Sequence, residues 1–198
     1  MTMNQNYHKR MAKILPTLEG KPKLLLHSCC GPCSTEVLSV LHEHFDLTLL
    51  YYNPNIQPRA EYDLRLENQK VVLDAMPDVH FLECDYEGEK YMQAIKGLER
   101  EPEGGKRCTA CYNLRMEQTA RLAKELGFDW FCTTLSVSPR QDPVRINDIG
   151  WALEEKYGVR WLPSNFRKNE GYNHSIAYAE ELGLYRQEYC GCLYSKNT

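Results

Sequence analysis

No stretch of this chain approaches the ~18 consecutive apolar residues that a membrane span requires. Residues 1–19 carry Lys9, Arg10 and Lys13 and lack the apolar run of a secretory signal. A membrane role is excluded on this reading, and a cytoplasmic protein is expected. An excess of charge is also missing, with 24 Lys and Arg against 27 Asp and Glu and a formal net charge of -3. That balance leaves room for a nucleic-acid partner, which needs only a local basic face. The chain has no internal repeat and no low-complexity segment. No glycine-rich phosphate loop of the Walker or dinucleotide type follows the first predicted strand, so nucleotide chemistry has little support.

Cysteine, by contrast, is plentiful. Seven of the nine cysteines fall in three clusters: Cys29-Cys30-Gly31-Pro32-Cys33, Cys108-Thr109-Ala110-Cys111 and Cys190-Gly191-Cys192. Thiolates one or two residues apart converge readily on one metal centre. In a reducing compartment, and with an odd total, structural disulfides are not expected. A 4Fe-4S cube takes four thiolates, so three remain for a second metal or for thiol chemistry. A lone Cys108/Cys111 pair also fits a zinc knuckle, and the vicinal Cys29-Cys30 pair a redox disulfide, although no thioredoxin-like sequence surrounds it. Cys84 and Cys132 have no cysteine close in sequence and are expected to be small buried hydrophobes.

The length suits a single α/β domain over 1–198, with 1–19 as a polar N-terminal extension. Apolar runs predict strands at 23–27, 47–52, 79–83, 129–135 and 159–162. Helical periodicity covers 34–44, a segment from Ala60 that Pro77 stops, and another from about 144 to 157. Thr109 is the expected N-cap of a helix ending at Gly127, and Asn173 that of a last helix ending at Gly183. The alternation predicts a three-layer, Rossmann-like, doubly wound and mostly parallel sheet with helices on both faces. Such sheets carry their sites at the carboxyl ends of the strands. The first cysteines, the Asn53-Pro54-Asn55 loop and the loop 134–140 then border one crevice.

His27, at the end of the first strand, is read either as a proton donor or ligand orienter, or as packed and hydrogen-bonded. Asp85 is read either as a proton donor or as a solvated loop carboxylate. Arg59, Arg65, Lys96, Arg100, Lys106, Arg107, Arg115, Arg140, Arg167, Lys168 and Arg186 are candidates for an RNA-binding face. Tyr51, Tyr52, Tyr112, Tyr172 and Tyr189 are candidates for stacking on bases.

Five segments in order resemble the QueH-type epoxyqueuosine reductases, nearly end to end. They are His27 to Cys33, Tyr52 to Pro58 followed by Glu61-Tyr62 and Arg65, Cys108 to Arg115, Thr133 to Pro139, and Tyr185 to Cys192. The resemblance implies a cobalamin-independent enzyme that reduces the epoxide of epoxyqueuosine, in the anticodon of tRNA, to the cyclopentene of queuosine. It also implies a nucleotide-hydrolase-like fold, a 4Fe-4S cluster and an adjacent mononuclear iron. The metal ligands are then expected among Cys29, Cys30, Cys33, Cys108, Cys111, Cys190 and Cys192, and the catalytic groups among Cys30, Cys33, His27 and Asp85. Substrate contacts are expected from Asn53, Asn55, Glu61, Arg65, Arg115, Ser138, Arg140 and Arg186. With no flavin or nicotinamide motif, electrons are expected from a ferredoxin- or flavodoxin-like carrier. An ATP-dependent tRNA thiolation enzyme and a zinc-stabilised RNA-binding module are the rival readings.

Overall fold

The computed structural model describes residues 6–196. Its strands β1 (Lys23–Ser28), β2 (Asp46–Tyr51), β3 (His80–Glu83), β4 (Trp130–Thr133) and β5 (Arg160–Trp161) form one sheet in the order β3-β2-β1-β4-β5. Every neighbouring pair is parallel, with Leu24 opposite Leu47 on one side and Trp130 on the other. Leu24, Leu25 and Leu26 are all fully buried. Successive strand residues point to opposite faces, so both faces of β1 are covered. This is why the strand reads as an unbroken apolar run.

The helices are α1 (Tyr7–Ile14), α2 (Gly31–Leu41), α3 (Arg59–Asp74), α4 (Gly88–Ala94), α5 (Lys106–Glu125), α6 (Pro143–Tyr157) and α7 (Gly171–Glu181). α2 packs between α3 and α7, and α5 between α4 and α6. α5 buries Cys111, Tyr112, Arg115, Met116, Thr119, Ala120 and Ala123, a stripe at i, i+3 and i+4 spacing. Asp142 caps α6 by accepting from the amides of Val144 and Arg145, with Pro143 in the first turn. No helix among the described residues is long and apolar enough to cross a membrane.

The structure departs from the sequence expectations in several places. The sheet is wholly rather than mostly parallel. α4 is an element that periodicity did not reveal, being too short to show two turns of a stripe. α5 begins at Lys106 rather than after Thr109, because Glu101 accepts from the Lys106 amide at 3.1 Å and anchors the turn ahead of it. α7 begins at Gly171, ahead of the expected cap Asn173. Residues 7–17, expected within a polar extension, instead form a helical segment that buries Tyr7 and Met11, with Tyr7 packed 5.8 Å from the Trp151 ring.

The strand order reverses between β1 and β4, and the carboxyl ends of these two strands open a crevice. β1 delivers Cys29 to it, and β4 delivers the 3-10 turn Thr134–Val137. Gly31 opens α2 directly against α3, where a Cβ would stand 2.8 Å from the backbone oxygen of Asn68. No other residue fits there without moving α3.

Candidate metal centre

The first thiol set is built by the turn from β1 into α2. Ser28 is pinned by donating to Gln69 at 2.6 Å. The Cys29 amide donates to Thr134 Oγ1 at 3.1 Å, and the Thr134 hydroxyl donates to Cys29 Sγ at 3.4 Å, so β4 orients a thiol carried by β1. Cys30 stands at the N-cap of α2 and Cys33 in its first turn. Cys29 Sγ and Cys30 Sγ are 3.8 Å apart, and the three sulfurs of Cys29, Cys30 and Cys33 lie within 4.8 Å of one another. Hydrogen bonds from the Cys29 and Cys33 thiols, aided by the charge of Arg65, pull Cys30 well below the ordinary thiol range. Their counterpart is Cys29, which holds its proton against the Cys30 sulfur and is pushed up to about 11. Cys30 is thus the most acidic of the three thiols, and all three lie close enough to share one metal.

The second set joins two distant segments. Cys108 and Cys111 occupy the first turns of α5, and Cys190 and Cys192 flank Gly191 in the C-terminal segment. Backbone and side-chain bonds fold that segment back. The Gln57 amide donates to Gly191 O at 2.9 Å, Tyr189 donates to Gln57 O at 3.1 Å, and Arg65 donates to the carbonyls of Tyr189 and Cys190 at 3.2 and 3.3 Å. Gly191 has φ +119, and a Cβ there would press on Ile56 and Arg65. The four cysteines line one narrow cavity together with Tyr91, Arg107, Tyr112 and Arg115. Burial pushes the Cys111 thiol up to about 12 and also raises Cys190, while Arg115 pulls both back.

A second cavity, of about 180 Å³, adjoins it and opens to solvent. Cys29, Cys30, Cys33 and Cys190 line it, with Arg115, Ser138, Arg140, Tyr172, Arg186 and Tyr189 among its walls. All seven clustered cysteines therefore face one of two adjoining cavities. Cys84 and Cys132 line neither. Cys132 is buried within the sheet against Leu162 and Ser164, and burial pushes its thiol up to about 12.

Several expected site residues serve the scaffold instead. His27 is fully buried, with Nδ1 2.8 Å from Thr133 Oγ1 and Nε2 3.1 Å from Tyr52 O. Desolvation lowers it to about 4, so it is a neutral tie between strand ends, its one ring N–H donated to Tyr52 O. Asp85 is exposed after the edge strand β3 and lines neither cavity. Asn53 is buried and donates to Ser28 O at 2.8 Å, holding the loop after β2 to the end of β1. Glu61 accepts from Arg65 Nε at 2.7 Å, and the rest of the Arg65 fork is spent on the C-terminal segment. Asn55 is buried beside the four-cysteine cavity with Oδ1 unpartnered. Ser138, Arg140 and Arg186 do reach the open cavity, and the two arginines are exposed.

Tyr51 and Tyr52 are fully buried, and Tyr112 donates to Gln141 at 2.6 Å, so of the five tyrosines only Tyr172 and Tyr189 face the open cavity. Arg107 is buried, donating to the carbonyls of Glu99 and Glu101 under the Tyr194 ring. Residues not singled out from sequence also touch the sulfurs. Gln187 Nε2 lies 2.8 Å from Cys30 Sγ, Gln141 Nε2 3.5 Å from Cys190 Sγ, and Thr134 bonds Cys29. Thr134 and Gln187 sit inside the segments that carry the family resemblance; only the folded chain shows what they touch.

The donor chemistry fits thiolate-bound metal. Two thiolates on one tetrahedral metal at ~2.3 Å stand ~3.8 Å apart, which is the Cys29–Cys30 separation. Among the described residues only Cys29, Cys30 and Cys33 form so tight a group. The other four cysteines line one cavity without forming so tight a group, and four thiolates are the number that a cube takes.

The family described as epoxyqueuosine reductase QueH matches residues 24–198. A protein named epoxyqueuosine reductase QueH from Streptococcus pyogenes serotype M1 is 42% identical over 205 residues, covering 98% of this chain and 80% of that protein. Proteins of the same name from Staphylococcus epidermidis and Thermotoga maritima are each 40% identical, covering 96% and 87% of this chain and 84% and 89% of their own lengths. Among solved structures, the U34-tRNA thiolase NcsA from Methanococcus maripaludis, described with its [4Fe-4S] cluster, superposes with a TM-score of 0.56 at 14% identity. The match covers 96% of this chain and 67% of that one. At that identity the likeness establishes a shared fold and nothing about the reaction.

Proposed function

We propose, since the chain belongs to the QueH family of epoxyqueuosine reductases, that its two thiol sets hold the metal groups for one reductive deoxygenation on tRNA. The enzyme is an oxidoreductase. Its reaction takes an epoxide, two electrons and two protons to an alkene and water. In this reading Cys108, Cys111, Cys190 and Cys192 hold a 4Fe-4S cube, and Cys29, Cys30 and Cys33 hold a single iron. When bound, the cube supplies electrons and the iron a Lewis acid for the departing oxygen. The observation that carries the reading is the division itself, three sulfurs within 4.8 Å and four around the adjoining cavity.

The remaining roles belong to side chains. Thr134 and Gln187 orient the Cys29 and Cys30 sulfurs, so the ligand set is held before metal enters. Arg140 and Arg186, exposed at the open cavity, suit the phosphates of an anticodon loop, and Tyr172 and Tyr189 offer aromatic faces to a base turned inward. His27 supplies no proton, because both ring nitrogens are occupied and the ring is neutral. The cavity opens to solvent, which supplies the protons. A tRNA substrate supports a cytoplasmic enzyme in this reading, with an external carrier of the ferredoxin or flavodoxin kind as electron donor.

Iron and acid-labile sulfide counts on protein purified without oxygen, together with turnover on epoxyqueuosine-containing tRNA, test this reading. Iron in excess of sulfide, with conversion to queuosine on reduction, is expected. Zinc without sulfide, in a protein that stays inert after anaerobic reconstitution, would overturn it.

A further inference from the structure

Arg115 is 1% exposed, and among the described residues no carboxylate lies within salt-bridge range of it. Its Nε donates to Cys111 O one turn back along α5, at 3.3 Å. Its Nη2 is buried with no hydrogen-bond partner. A guanidinium cannot shed its charge, and burying it unpaired is costly, so an anion must face it. The other buried arginines of the site have partners, Arg65 in Glu61 and two carbonyls and Arg107 in the carbonyls of Glu99 and Glu101. Arg115 has no carboxylate partner but several sulfurs near it. It lines both cavities, and its charge reaches Cys111 and Cys190 on one side and Cys29 on the other, with Tyr112 also in range.

We propose that Arg115 is the counter-ion shared by the two metal-holding thiol sets, its free Nη2 donating to a sulfur of the bound groups, so that one buried charge sets the reduction potential of both. The inference rests on the metal reading above and goes beyond it by assigning the residue that couples the centres electrically. Thiolate ligation leaves each centre net negative, and adding an electron makes it more so. A fixed positive charge in a water-poor site favours the reduced state, which raises the potential. Arginine suits the place because it stays charged when buried and its planar fork presents donors in two directions, where lysine presents a point charge. Burial also separates Arg115 from RNA. It acts on the centres rather than on the substrate's phosphates.

The test is a redox titration, followed by electron paramagnetic resonance, of anaerobically loaded full-length protein as wild type, Arg115→Lys and Arg115→Met. Methionine keeps most of the packing volume and removes the charge. The Met variant is expected to retain iron and sulfide and to titrate at a more negative potential than wild type, with the Lys variant between them. A fully loaded Met variant with an unmoved potential would overturn the proposal. If the Met variant loses metal, a Lys variant that loads fully near the wild-type potential supports the charge role. A Lys variant as depleted as the Met one overturns that role in favour of shape alone. A wild type free of iron and sulfide overturns the underlying metal reading and this inference with it. A loaded wild type with unmoved variants overturns this inference alone.

Discussion

Gln187 Nε2 stands 2.8 Å from Cys30 Sγ, the one sulfur of the first set whose proton its neighbours loosen. The contact joins a C-terminal segment to the first turn of α2 across nearly the whole length of the chain. It gives a polar partner to a sulfur that lines the open cavity. Partners of this kind fix a ligand's direction as well as its charge. Replacing Gln187 with Leu is expected to lower turnover or iron affinity by about 10- to 100-fold, with the fold retained by circular dichroism and the sulfide count unchanged.

The division of the cysteines makes an expectation that single replacements can read. Ser at Cys108, Cys111, Cys190 or Cys192 is expected to remove most of the sulfide and iron together. Ser at Cys29, Cys30 or Cys33 is expected to lower iron by less than one cube's worth and leave sulfide in place. Both groups should abolish turnover. Paired iron and sulfide assays on the seven variants check the partition, and uniform loss of sulfide across all seven would show that the sets do not act separately.

Arg65 holds the carbonyls of Tyr189 and Cys190, so its loss should act through the fold of the C-terminal segment. Arg65→Met leaves Glu61 and those carbonyls without their donor and is expected to cost about 2–4 kcal/mol. Limited proteolysis should then cut the segment after Leu184 sooner than in wild type. Urea unfolding of the loaded protein measures the cost. A rise in KM for tRNA with unchanged stability would return Arg65 to the substrate.

The two exposed arginines at the cavity mouth make the opposite prediction. Arg140→Ala and Arg186→Ala are expected to weaken tRNA binding and to reduce the slope of log K against log salt by about 1 each. Metal content should not change. Fluorescence anisotropy with an anticodon stem-loop across a salt series measures both.

Cys132 lies against Leu162 and Ser164 inside the sheet and lines neither cavity. Cys132→Ala is expected to cost about 1–2 kcal/mol in stability through a small cavity, with iron and sulfide at wild-type counts.

The α/β alternation, the five strands and the metal-like thiols are all local properties, written within a few residues of one another. An apolar run such as Leu24-Leu25-Leu26 specifies a strand buried on both faces because a parallel sheet demands it. The spacing of Cys29, Cys30 and Cys33 specifies convergence because one turn of chain cannot separate them far. Helix starts were less legible. α5 begins where Glu101 reaches the Lys106 amide, a contact that no periodicity encodes.

The sequence alone thus determined that this chain is an α/β protein with more thiolates than one cluster uses, and the order of its motifs pointed to the family. Tertiary structure decided how those thiolates divide, since the pairing of Cys108 and Cys111 with Cys190 and Cys192 depends on the C-terminal segment closing over α3 through Arg65 and Gly191. It also decided which polar residues line the cavities and which tie the scaffold together. His27 and Asn53 became ties between strand ends, Asp85 was left at the exposed edge, and Arg115 was brought between two sets of sulfur. The physical reason is that charge, desolvation and ligand geometry act through space over a few ångströms. The distances that matter here join residues far apart along the chain.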